Sequence, residues 1–274
     1  MKKVFLIMVI AMLAVGCAKE SDIESRSITF TIENPYTFSN MKSVEANGLS
    51  MKDIWVFDYV GNQLMNYLHQ NPNDSDWGSP TLNLTPGVHH IYFCASRGIN
   101  PVVNSSTKTI VFSNVDDTFW KELTIVIPTA TQTCYSVTLE RIVTRLDITI
   151  TEPLQNGTEY LYVEPLTWYC GFNYTNGEPT GIQTNMNYIF ACYPYESGIS
   201  GKTVSLYGFS SNTEWMTDVV IEAVGDYSQT YQAFMFDVPF KRNRVTQYSG
   251  TIFNSGTSNI ILNDNWDSPH TGGW

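Results

Sequence analysis

Apolar positions along this chain fall into short runs, and most of those runs alternate with polar residues at a period of two. Ser27-Ile28-Thr29-Phe30-Thr31-Ile32 places three large apolar side chains on one face and hydroxyls on the other, the signature of a half-buried strand. Asn34-Pro35 ends it, and residues 35–50, mixed in Asn, Ser and Gly, read as a long connection. Residues 54–60 are apolar on both faces, which predicts a central strand. Gly61-Asn62 then turns the chain into residues 63–68 as a hairpin. Residues 82–85, 88–95, 109–112 and 122–127 give further strands, and Pro128 closes the series. The longest extended candidate is 135–151. In it Val137 and Leu139 hold one phase, and Ile142, Leu146, Ile148 and Ile150 the other, so a bulge or bend is expected at Glu140-Arg141. Residues 160–163, 188–193, 203–209, 217–224, 229–238, 248–253 and 260–262 complete the set, with 171–181 read as a loop. No amphipathic helix longer than two turns is predicted. About fifteen short strands broken by turn chemistry make an all-β chain, with two sandwiches as the natural packing: residues 27–130 and residues 131–274.

The first residues break the pattern. Lys2-Lys3 precede an unbroken apolar run of about a dozen residues, which ends in Leu13-Ala14-Val15-Gly16-Cys17. The run is too short for a membrane span and has the build of an export signal. Its closing residues resemble a bacterial lipobox, so residues 1–16 are expected to be removed and Cys17 acylated. Each buried acyl methylene contributes about 0.8 kcal/mol, and two or three chains make a lasting anchor in the outer membrane. Residues 17–26, polar and mostly acidic, then read as a tether at the cell surface.

Composition narrows the function. Of 15 basic residues, Lys2 and Lys3 lie in the signal, leaving 13 against 26 acids, a net charge of −13. That balance excludes a nucleic-acid face and electrostatic attachment to anionic lipid. Aromatic residues at 14%, 16 of them Tyr, favour pleated sheet. Cys94, Cys134, Cys170 and Cys192 allow three pairings, and no disulfide is assigned. His89-His90 is the one place to look for metal ligation, but adjacent strand residues face opposite ways, so no metal site is expected. Asp116-Asp117 lacks a partnered base or nucleophile. No Gly-x-Ser-x-Gly, His-Glu-x-x-His or phosphate loop occurs, so neither catalysis nor a cofactor is expected. Trp77, Trp120, Trp168, Tyr169 and Trp215 are candidates for stacking sugars, set against ordinary packing of strand formers. Arg141, Arg145 and Lys241-Arg242-Asn243-Arg244 form basic clusters in an acidic chain and are expected to pair with carboxylates.

Three segments together resemble a known family. They are residues 139–148 (Leu-Glu-Arg-Ile-Val-Thr-Arg-Leu-Asp-Ile), Pro239-Phe240-Lys241-Arg242-Asn243-Arg244-Val245-Thr246 leading to Gly250, and the Phe57-Asp58-x-x-Gly61 turn. With the lipobox, these are similar to the Bacteroidetes fimbrillin superfamily of type V pili, most of all its lipoprotein anchor and accessory subunits. The resemblance implies two tandem transthyretin-like Greek-key sandwiches. It also implies a fimbrial subunit that joins other subunits by β-strand addition. Shaft subunits of the family lose their lipid and first strand when a trypsin-like protease cuts the following loop. Here that loop holds no arginine before Ile54, only Lys42 and Lys52, and Arg26 precedes the first strand. An anchor that keeps its lipid is therefore expected. A shaft or tip subunit matured at Lys42 and a surface carbohydrate-binding lipoprotein are the alternatives. At the C-terminus, Ile260, Leu262 and Trp266 share one strand phase and form either a donor strand for a neighbour or a strand capping this chain's own sandwich. Capping is favoured because Asp264 shares that phase, and burying its carboxylate unpaired would be costly.

Overall fold

The computed structural model describes residues 25–33, 51–128, 130–184, 186–225, 230–254 and 259–263, the last five by their backbone. Cys17, Lys42, Asp264 and Trp266 lie outside the described residues. Twenty strands account for nearly all regular structure. In chain order they begin with β1 (Arg26–Glu33), β2 (Asp53–Val60), β3 (Gln63–Gln70), β4 (Thr81–Leu84) and β5 (Gly87–Ser96). β6 (Val102–Asn104), β7 (Thr109–Val111) and β8 (Thr118–Ile127) follow. Next come β9 (Cys134–Thr138), β10 (Glu140–Arg141), β11 (Val143–Ile150), β12 (Thr158–Pro165), β13 (Thr167–Asn173), β14 (Glu178–Thr184) and β15 (Tyr188–Ala191). β16 (Lys202–Phe209), β17 (Trp215–Gly225), β18 (Thr230–Phe240), β19 (Val245–Gly250) and β20 (Asn259–Asn263) end the series. A single 3-10 turn, Pro194–Glu196, is the one helical element among the described residues. The chain is all-β.

The first core lies between the sheet β4–β1–β9 and one face of the sheet β10–β8–β5–β2–β3. Ile28, Phe30 and Ile32 of β1 point into it as their alternation predicts, and all three are buried. They meet Ile54 and Val56 of β2, Ile91 and Phe93 of β5, and Ile125 and Ile127 of β8 in one cluster. Phe30 packs on Phe93 with ring centroids 5.0 Å apart. Each such side chain contributes about 1.5–3 kcal/mol when fully buried. β1 runs antiparallel to β4 and parallel to β9, with Thr29 opposite Cys134 and Glu33 opposite Thr138.

That parallel partner moves the expected break in the chain. Residues 131–139 are expected in the second sandwich, yet β9 hydrogen-bonds to β1, and Val137 and Leu139 lie in the first core. The phase flip at Glu140-Arg141 has the same origin. β9 belongs to one sheet, β10 pairs with β8 in another, and β11 enters a third. The reversal of faces marks a change of sheet, not a bulge within one long strand.

The second core uses the opposite face of β2. Trp55, Phe57 and Tyr59 point away from Ile54 and Val56, and all three join the larger apolar cluster. There Phe57 stacks on Tyr174 at 3.8 Å with nearly parallel rings, and Tyr59 shares a 2.8 Å hydroxyl hydrogen bond with Tyr174. Trp55 meets Phe112, and Phe112 meets Phe209. The sheet β14–β13–β7–β6 forms the wall on this side. Its strand β7 matches the expected 109–112, but β13 and β14 run through the expected loop 171–181, where Gly171, Gly177 and Gly181 interrupt the apolar run. Gly171 is required there, since a Cβ would stand 2.7 Å from the Ile110 carbonyl oxygen of the adjoining strand.

Beyond that wall the sheets β16–β11–β19–β20 and β15–β12–β17–β18 enclose Leu146, Ile148, Leu161, Val163, Leu206, Val219 and Ile221. Their outer faces differ. On the first, Thr149 bonds Thr203 and Ser205 donates to Asp147, so the face is polar. On the second, Ile189, Met216, Phe234 and Phe236 are all more than half exposed. Opposite sides of β2 and β18 therefore predict opposite sensitivities. Phe57→Ala should cost about 3–5 kcal/mol in urea unfolding. Phe236→Ala should change stability by no more than about 0.5 kcal/mol.

Candidate functional site

The residues singled out in the sequence fall at the two ends of the described chain and at a charged junction between the cores. At the first end, Arg26 is the opening residue of β1, not a residue ahead of it. It stands opposite Leu84, and its Nη1 donates to the Ala130 carbonyl oxygen. The Arg26-Ser27 bond thus lies inside a paired strand, which the alternation starting at Ile28 did not reveal. β1 is also the middle strand of its sheet.

At the other end, β20 is the edge strand beside β19. Ile260 stands opposite Tyr248, and Leu262 opposite Thr246. The turn before it is held by a group that no motif announced. Glu152, just past β11, accepts hydrogen bonds from the Ile252 and Phe253 amides at 2.5 Å through Oε1 and from Asn254 Nδ2 at 2.6 Å through Oε2. Desolvation pushes its carboxyl up, but the bonds from Phe253, Asn254 and Ile252 outweigh it and hold the group below its ordinary value. Ionised, the group is acceptor-only and takes all three bonds at full strength.

The arginines of the basic clusters pair with carboxylates. Arg141 on β10 grips Asp117 with two bonds, Nε to Oδ1 at 2.6 Å and Nη2 to Oδ2 at 3.0 Å. Its Nη1 reaches Asn243 Oδ1 at 3.3 Å, and its guanidinium lies 4.9 Å over the Phe119 ring. Burial pushes the Asp117 carboxyl up, against the pull of Arg141. Arg97 pairs with Asp116, Arg145 with Asp147, Arg242 with Glu178 and Arg244 with Glu214. Asp116-Asp117 is therefore part of a structural charge network that ties the loop before β8 to the β18–β19 turn.

The histidines serve packing in the same way. His89 is buried, with Nδ1 2.7 Å from Asp58 and Nε2 2.7 Å from the Thr85 carbonyl oxygen, whereas His90 faces the other side and pairs with Glu122. Among the described residues no group of three or more His, Cys, Asp or Glu side chains is placed to hold a metal ion. Cys94, Cys134, Cys170 and Cys192 are free thiols, and Cys134 alone is exposed. The aromatic candidates for stacking sugars mostly pack inward. Trp168 is fully buried edge-to-face against Phe240, and Trp120, Trp168 and Trp215 donate their indole N–H groups within the protein.

A cell adhesion protein candidate from Bacteroides ovatus superposes with a TM-score of 0.53 at 14% identity, over 88% of this chain and 98% of that one. A candidate adhesin from Bacteroides ovatus gives 0.51 at 11% identity, over 90% and 96%. A candidate polysaccharide-binding protein from Bacteroides thetaiotaomicron gives 0.52 at 8% identity, over 87% and 96%. The chain has the fold of these Bacteroides proteins. No family model and no curated protein matches its sequence.

Two consequences are measurable. Arg141→Met leaves the Asp117 carboxylate buried without its main partner and should cost about 3–5 kcal/mol. Arg141→Met/Asp117→Leu should recover part of that loss in urea titration. For Glu152 the sign follows from a lowered native pKa. Its stabilisation is complete above the ordinary glutamate range and is lost as pH falls through the native value. The stability gap between wild type and Glu152→Gln should therefore be widest near neutrality and close in acid.

Proposed function

We propose that this chain is a lipid-anchored fimbrial subunit, an anchor or accessory subunit that attaches a type V fimbria to the outer membrane and supports adhesion. Acylated Cys17 holds it to outer-membrane lipid, and other fimbrial subunits join it by β-strand addition. The tandem transthyretin-like division into two Greek-key sandwiches belongs to the same proposal. Support comes from the fimbrillin-like segments around residues 139–148 and 239–250 and from a fold shared with candidate adhesion proteins.

The observation that carries the anchor reading is the place of β1. It lies between β4 and β9, with Ile28, Phe30 and Ile32 wholly in the first core. A subunit that keeps its lipid must keep this strand, because β1 follows the tether directly. A cut at Arg26 would sever the lipid and leave the apolar part of β1 in place, so it exposes no acceptor groove. Only a cut beyond Glu33 would release this strand, and the loop that follows it holds no arginine before Ile54, which favours the base of a fimbria over its shaft.

The test is the state of Cys17. Wild-type protein recovered from cells should begin at Cys17 and take up a palmitate analogue, and Cys17→Ala should take up none. Equal labelling of the two would overturn the anchor. A mature chain beginning just after Lys42 would instead assign it to the shaft or tip.

A further inference from the structure

The turn that leads toward β20 is fastened to the body along its length. After β19 the chain passes through residues 251–254, and each part of that turn is tied to the body. Thr151 takes the Gly250 carbonyl oxygen through its amide at 2.8 Å and its hydroxyl at 3.1 Å. Glu152 takes the Ile252 and Phe253 amides and the Asn254 side chain. Ile252 is buried in the second core, and Phe253 sits edge-to-face on Tyr231 at 5.1 Å. By contrast, β20 is an edge strand of five residues whose partner is β19.

We propose that Glu152 is a latch for the C-terminal strand. Its carboxylate fixes residues 252–254 and so delivers β20 to the β19 edge. Loosening it frees β20 while the rest of the sandwich stays folded. The physical basis is what the carboxylate fixes: it ties the amides of Ile252 and Phe253 and the side chain of Asn254 to the end of β11, beside the seats of Ile252 and Phe253. Without those bonds the turn keeps only its apolar contacts, and docking of β20 must fix it anew. Glu152 acts on the strand through the turn and is a positioning residue. This inference stands apart from the fimbrial reading, since it concerns only how this chain holds its own last described strand.

Hydrogen exchange on the full chain tests it. In Glu152→Gln, and more strongly in Glu152→Ala, amides of 259–263 and their partners in 245–249 should exchange at least threefold faster than in wild type. Amides of β16 and β12 should keep their protection. Asn254→Ala, which removes one bond and leaves the core carboxylate in place, should move the same amides in the same direction by less. Unchanged exchange at 259–263 in Glu152→Gln and Asn254→Ala would overturn the latch. Protection lost equally across β11, β16 and β12 would also overturn it, by making Glu152 a general support of the core.

Discussion

The structure depends on one strand being apolar on both faces. β2 gives Ile54 and Val56 to the first core and Trp55, Phe57 and Tyr59 to the second. A strand of this kind has no side left for water, so two layers must form around it. The aromatic contacts of Phe57 with Tyr174 and of Trp55 with Phe112 carry that requirement into the second half of the chain. Asp58, in the same strand, is buried with His89 and Asn66 as hydrogen-bond partners, the arrangement a carboxylate needs to stay inside. The cores are thus joined through a shared strand and not merely adjacent along the sequence.

Charge is used sparingly and mostly where sheets meet. Arg141 sits between the loop ending at Asp117 and the turn holding Asn243, and its planar guanidinium satisfies both while covering Phe119. Such a buried pair is weak evidence for added stability, because its desolvation cost offsets much of the attraction. Its value lies in fixing which loop meets which turn.

How much of this was legible in the sequence depended on the strength of local alternation. Ile28, Phe30 and Ile32 announced their strand and its inner face, and the double-sided run of 54–60 announced a central one. What stayed hidden was set by partners distant in the chain. Arg26 joins β1 because Leu84 is there to pair with it, and no pattern before Ile28 says so. β13 and β14 carry glycines for close approach of strands, and glycine reads as loop when the approaching backbone is unknown. Among the candidate site residues, the lipobox-like run ending at Cys17 is purely local and lies outside the described residues. Glu152, an isolated acid after a strand, carried no motif, because its meaning lies in amides a hundred residues later.

The parallel pairing of β1 with β9 has a consequence in time. Thr29 and Cys134 are separated by about a hundred residues, and everything from β2 to β8 must be in place between them. Contacts of such long sequence separation slow folding, because the chain must close a large loop before any gain is realised. The first sheet is therefore the last part of its core to close. Until residues 134–138 arrive, Ile28, Phe30 and Ile32 remain a short, sticky ribbon with only β4 to pair with. A chain arranged in this way keeps its first core incomplete until about half of it has been made.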